Sequence, residues 1–157
     1  MKERSALIAG SFDPFTKGHQ SLVEETLMLF DKVYIAIGHN ISKRGLLTEE
    51  NRKRLIERLY CNDSRVEVCI YDTLTCHLAQ KLGVTAMVRG VRNYADFEYE
   101  RTLDSVNRRI MPSVKSILIF TPAPLQDISS STVRELIHFN HNVDEFMPEG
   151  IDIKEFL

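Results

Sequence analysis

Residues 6–19, Ala-Leu-Ile-Ala-Gly-Ser-Phe-Asp-Pro-Phe-Thr-Lys-Gly-His, constrain the fold more than any other stretch of the chain. The apolar run from Ala6 to Ala9 ends in Gly10, the chain turns through Asp13-Pro14, and Gly18-His19 opens a run in which Leu22, Val23, Leu27 and Phe30 recur at helical spacing. This is a strand, a tight loop and a helix start. A helix N-terminus carries unpaired backbone N–H groups and about half a positive charge, so such a junction suits an anion. His19 falls in the first helical turn, and Gly18 lets a ligand approach the backbone.

The same alternation continues. The β-branched run 32–38 ends in a glycine and reads as a buried strand. A loop holding Lys43, Arg44 and Gly45 follows, then a helix over 48–60 with Thr48 as cap, acids in its first turn and bases after them. Further strands are expected at 65–71, 85–88 and 116–120, and helices at 74–82 (closed by Gly83), 96–109 and 128–137, with one or two short helices after Asn142. No linker or repeat interrupts the series. The expected fold is α/β: a single domain over 1–157, doubly wound and Rossmann-like, with a five-stranded parallel sheet, helices on both faces and a short helical C-terminal tail. In such sheets ligands sit beyond the carboxyl ends of the strands, where strand order reverses.

Composition narrows the partners. With 20 basic against 22 acidic residues the formal net charge is −2, which gives no support to a nucleic-acid module. Any phosphate chemistry must come from local placement of charge. Cys61, Cys69 and Cys76 are odd in number and lack C-x-x-C spacing, which fits a reducing compartment. The apolar run behind Lys2 and Arg4 is too short for a signal peptide or a membrane span, so a cytoplasmic protein that engages no membrane is expected.

Polar segments after the first, second, fourth and fifth strands hold the residues suited to chemistry. Ser11, Thr16 and His19 follow the first; Lys43, a point cation on a flexible stem, follows the second. After the fourth, Arg89-Gly90-Val91-Arg92 places two guanidinium forks around a glycine. Arg89 directly follows Met87-Val88, should be partly buried, and therefore needs an anionic partner. Ser129-Ser130-Ser131-Thr132 stacks hydroxyls at a helix start, where a cap needs only one and a phosphate clamp uses several.

Gly10-Ser-Phe-Asp-Pro with Thr16-x-Gly18-His19 resembles the signature of the nucleotidyltransferase superfamily. With Thr16 at the first histidine position, Ser42-Lys43, Arg89-Gly-Val-Arg92, Asp96-Phe-Glu-Tyr-Glu100 and Ile128-Ser-Ser-Ser131, the chain resembles the bacterial phosphopantetheine adenylyltransferases along nearly its whole length. That resemblance implies transfer of the adenylyl group of ATP to 4′-phosphopantetheine, giving dephospho-coenzyme A and pyrophosphate in coenzyme A biosynthesis. It implies Mg2+ as cofactor, a homohexamer, and feedback binding of coenzyme A. It implies that Ser11, Lys43, Thr75 and Arg89 contact phosphopantetheine, and that Ser11, Phe12, His19, Gly90, Val91, Arg92, Glu100, Ile128, Ser129, Ser130 and Ser131 hold ATP. His19 and Lys43 take the catalytic roles, with no residue of the chain as metal ligand.

The acceptor is already a phosphate, so direct in-line attack needs no covalent intermediate, only stabilisation of charge at the α-phosphorus. Three departures stand out: Ser11 where many members have Thr, Asp127 where an aromatic is frequent, and Asp72-Thr73-Leu74-Thr75 along the pantetheine arm. Two other functions are open to such a sequence, transfer to a different phosphorylated acceptor and sensing of coenzyme A or ATP without turnover. His138 and His141, and Cys76-His77, are expected to be surface or packing residues rather than metal ligands. Phe97, Leu103, Val106 and Ile110 form an apolar stripe for core or subunit contact. Glu98 and Glu100 are candidates for pairing with Arg101 or Arg92.

Overall fold

A computed structural model describes residues 3–39 and 45–157. Five parallel strands, β1 (Ser5–Gly10), β2 (Lys32–Gly38), β3 (Val66–Tyr71), β4 (Ala86–Val91) and β5 (Lys115–Phe120), form one sheet in the order β3-β2-β1-β4-β5. Among the described residues five α-helices follow the strands in turn: α1 (Lys17–Leu29), α2 (Glu49–Leu59), α3 (Thr75–Leu82), α4 (Tyr94–Ile110) and α5 (Ser130–His138). Short 3₁₀ turns at Asp144–Phe146 and Ile153–Glu155 make the helical tail. The fold is thus the α/β, Rossmann-like parallel sheet that the alternation of elements implies.

Side chains alternate across the sheet as strand geometry requires. Ala6, Ile8, Val33, Ile35, Ile37, Ala86 and Val88 face one core, which α1, α2, α5 and the tail close with Val23, Leu55, Ile56, Val133, Met147 and Phe156. Leu7, Ala36 and Met87 face the other, covered by Cys76, Leu78 and Ala79 of α3 and by Met111 and Val114. The two sides differ in cover. Glu100 is the one buried residue in the 17 of α4, and Tyr94, Phe97, Val106 and Ile110 stay exposed beside Phe120 of β5. The apolar stripe expected on this helix is therefore not monomer core at those positions.

Local chemistry sets the element ends. Thr48 caps α2 by accepting the Asn51 N–H (3.2 Å), and Asn93 caps α4 by accepting the Asp96 N–H (2.9 Å). Gly83 closes α3 with φ +68, a conformation that a residue with a Cβ adopts only with strain. Most boundaries shift by one or two residues, and the largest difference is at the fourth strand. Arg89, Gly90 and Val91 belong to β4 and not to the loop after it, because they pair with Leu118, Ile119 and Phe120 of β5.

The tail is fastened to α2. Asn51 Nδ2 donates to the Phe156 carbonyl (2.8 Å), Arg54 Nη2 donates to the Glu155 carbonyl (2.9 Å), and the guanidiniums of Arg54 and Arg58 lie over the Phe156 ring at 5.2 and 5.9 Å. Phe156 itself is 2 % exposed. Phe156→Ala is expected to lower unfolding stability by about 3–5 kcal/mol, read as a lower urea midpoint at unchanged m-value. A midpoint equal to that of the parent would show that the tail does not seal the core.

Candidate functional site

β1 is paired with β2 along its full length but with β4 only at Ala6 and Leu7. Beyond that point the strands diverge, as the reversal of strand order demands. The opening is a cavity of about 410 Å³. Its wall brings together Ser11, Phe12 and Thr16 of the β1–α1 loop, Gly18 and His19 of α1, Arg89, Gly90 and Arg92, Glu100 of α4, and Ile128 to Ser131 at the start of α5. Two helix N-termini open onto it.

Thr16 is the residue before α1, and its backbone N–H donates to His19 Nδ1 (3.0 Å), the reciprocal half of a capping box; Thr16 Oγ1 lies 3.1 Å from the same nitrogen. An accepting Nδ1 leaves the proton of the neutral ring on Nε2. The rings of Phe12 and Phe15 flank the imidazole, with centroids 5.1 and 5.3 Å away. Burial of the ring, then the positive charges of Arg92 and Arg89, push its pKa down to about 4. At neutral pH His19 is therefore an uncharged N–H donor. At Gly18 a Cβ would lie 3.6 Å from Thr16 Oγ1, an ordinary contact, so the glycine leaves room over the helix start instead of relieving a clash.

Arg89 has the anionic partner its position calls for. Its Nε donates to Glu100 Oε1 (2.8 Å) and its Nη1 donates to the Ala9 carbonyl, which lies beyond the β1–β4 ladder. Glu100 thus pairs with Arg89 and not with Arg92, while Glu98 pairs with Arg101 (2.9 Å). Arg92 takes Asp96 instead, through backbone N–H and Nε, both at 3.0 Å. Burial opposes ionisation of Asp96, but the hydrogen bonds and charge of Arg92, with Arg89 behind them, hold its carboxyl below the usual range.

The serine cluster divides its work. Ser129 caps α5 by accepting the Thr132 N–H (3.1 Å), Ser130 Oγ donates to the Pro14 carbonyl (2.8 Å), and Ser131 Oγ accepts from Arg134 (3.1 Å). Arg134 also donates to the Asp13 carbonyl (2.7 Å) and lines the cavity, a third guanidinium that the sequence reading did not single out. Its signal was present: a base one turn into a serine-capped helix. Tyr99, Asp96 and Thr121 complete the wall. Three guanidiniums against two carboxylates leave the lining positive.

Other expected site residues lie apart. Lys43 is outside the described residues. Val91 is buried in β4, and Thr75, in the first turn of α3, bonds Tyr71 Oη (2.8 Å); neither lines this cavity. Asp127 is exposed and also absent from the lining. His77, His138 and His141 are exposed and Cys76 is buried. Among the described residues no three His, Cys, Asp or Glu side chains cluster as metal ligands.

Comparison with known proteins places the chain in a family. The cytidylyltransferase-like family model matches residues 7–136. The chain is similar to the phosphopantetheine adenylyltransferases of Porphyromonas gingivalis (49 % identity over 150 residues, 96 % of this chain and 97 % of the relative) and Bacteroides thetaiotaomicron (41 %, covering 96 % and 99 %). That of Streptococcus suis is 39 % identical, with 95 % and 93 % covered.

The imidazole makes a pH signature. Its folded-state pKa of about 4 lies below the unfolded value of 6.5, so between those values the unfolded chain binds the extra proton and stability falls as pH is lowered. In the ligand-free protein, ring-nitrogen NMR should show His19 titrating near pH 4 with Nδ1 unprotonated, and His19→Gln should flatten the loss of stability from pH 6.5 to 4. Titration near 6.5 would contradict the half-buried, hydrogen-bonded ring.

Proposed function

The chain belongs to the phosphopantetheine adenylyltransferases of the cytidylyltransferase-like family, and from that membership we propose that it joins ATP to 4′-phosphopantetheine, giving dephospho-coenzyme A and pyrophosphate. The observation that carries this reading is the cavity between β1 and β4, where His19, three arginines and two helix N-termini meet. A phosphate oxygen of phosphopantetheine attacks the α-phosphorus of ATP in line; a P–O bond forms there and the bond to the β-phosphate oxygen breaks, releasing pyrophosphate. No side chain need act as nucleophile or base. The obstacle is repulsion between two anions and charge building on the α-phosphoryl oxygens, which fixed N–H dipoles and cations oppose.

In this mechanism the neutral His19 donates Nε2–H to an α-phosphoryl oxygen, and Lys43 supplies an ammonium. Ser11 and Arg89 hold the acceptor phosphate, and Thr75 lies along the pantetheine arm. Phe12, Gly90, Arg92, Glu100, Ile128 and the Ser129 to Ser131 helix start hold ATP. Mg2+, when bound, neutralises charge on the phosphate oxygens. The cavity's donor set of hydroxyls, amides and arginine-paired carboxylates suits a cation that arrives on the triphosphate and keeps its waters.

The exposed apolar side chains of α4 and Phe120 support self-association, and the resemblance makes the assembly a homohexamer. Coenzyme A carries the product's pantetheine and adenylate groups, which supports feedback binding in the same cavity. Free Cys61, Cys69 and Cys76 support a cytoplasmic setting.

Incubation with ATP and either 4′-phosphopantetheine or nicotinamide mononucleotide, followed by pyrophosphate release, tests the assignment. Turnover is expected with the first acceptor only, and turnover only with the second would overturn it. His19→Ala should lower turnover by ~10²–10³; a loss within about threefold with ATP still bound would remove the role given to the ring. Light scattering on the purified protein should give six times the chain mass, and a monomer at micromolar concentration would contradict the hexamer.

A further inference from the structure

The loop between β1 and α1 is held in an unfavourable shape from outside the cavity. Phe12 has φ +48, the left-handed region that a bulky residue enters only at a cost of about 1–3 kcal/mol and keeps only where its surroundings enforce it. The enforcing groups sit on either side of it. Asp13, 5 % exposed, accepts the Leu46 and Leu47 N–H groups on its two carboxylate oxygens (both 2.8 Å) and has Arg52 Nε at 3.4 Å. Arg52 Nη1 donates to the Ser11 carbonyl (3.3 Å), while Nε and Nη2 donate to the Leu47 carbonyl (3.0 and 2.7 Å). One guanidinium, 7 % exposed, thus grips the residues immediately before and after Phe12.

We propose that Arg52 is a positioning residue for adenylyl transfer, fixing the backbone at Ser11 and Asp13 and, through the Phe12 ring, the imidazole of His19. Arg52 does not line the cavity and so acts only through others. The Phe12 ring fills the space over Gly10, where a Cβ would lie 3.1 Å from it, and meets His19 edge-on at 5.1 Å. A turn of Phe12 out of the left-handed region therefore moves the surface against which His19 rests. Burying an ion pair seldom stabilises a protein more than apolar packing would. Arg52 shares a buried stripe of α2 with Leu55 and Ile56, so a hydrophobic residue fits its position in the helix. Its distinguishing property is the planar fork, which bonds two carbonyls of different segments at fixed angles, with the Asp13 carboxylate beside it, as an ammonium cannot. Gly45 is shaped to the same brace: a Cβ there would lie 2.0 Å from Arg52 Nη2 and 2.6 Å from Asp13 Oδ2.

This inference rests on the adenylyl-transfer reading, and the test separates the two. Arg52→Lys and Arg52→Met are compared with the parent for melting, for kinetics with ATP and 4′-phosphopantetheine, and for amide hydrogen exchange in the absence of substrate. Both variants are expected to fold, to lose up to about 10²-fold in kcat with KM for ATP within about threefold, and to lose protection at the Leu46 and Leu47 amides bonded to Asp13 and at the Thr16 amide bonded to His19, while β2 and β4 keep theirs. A kcat within about threefold of the parent, a loss confined to KM, unchanged exchange in the loop, or deprotection spread over the whole sheet would each overturn the proposal. If neither Arg52 variant folds, Gly45→Ala displaces the guanidinium with every cavity residue intact, and the same outcomes decide. A parent that releases no pyrophosphate from these substrates defeats the reaction assignment, while loop exchange still decides whether Arg52 orders residues 11–13.

Discussion

β1 and β4 separate after Leu7 and Met87, and the site depends on that parting. A strand carbonyl without a ladder partner must find another donor. At Ala9 the donor is the guanidinium of Arg89, itself carried by β4 and neutralised in part by Glu100. The side chain thus replaces a strand hydrogen bond with a fixed cation at the floor of the crevice. Loops and helix starts on the two flanks then have a common centre to converge upon.

On the proposed reaction, the difficulty is the meeting of two anions, and the crevice opposes it mostly with oriented donors. Arg89 and Arg92 are each paired with a carboxylate, so their forks are held in place before any ligand arrives. Burial, reinforced by the same cations, keeps the nearby imidazole uncharged, which fixes one N–H for an incoming oxygen and spares the site a further unpaired charge. Preorganisation of this kind avoids rearranging dipoles as charge develops. Its supports lie outside the cavity, in Asp13, Arg52 and the Leu46-Leu47 backbone.

Much of this was legible from the residues. The run 32–38 coincides with β2, and Gly83 and Thr48 end and begin helices as their chemistry dictates. The fourth strand was read too short because Arg89-Gly90 looks like a loop; pairing with β5 and the Ala9 carbonyl makes a strand of it. The contacts of Asp13 with Leu46, Leu47, Arg52 and Arg134 span 33 to 121 residues and have no local signature, although Arg52 falls on the buried side of α2 with Leu55 and Ile56. The tautomer of His19 was beyond the sequence, since it depends on which way one backbone N–H of the loop points.

The most direct measurement is a crystal structure with dephospho-coenzyme A bound. The diphosphate of that molecule is expected in the β1–β4 crevice, with His19 Nε2 at about 3 Å from a phosphate oxygen and Nδ1 still on the Thr16 N–H. A diphosphate bound elsewhere, with His19 and Arg89 touching nothing of the ligand, would contradict it.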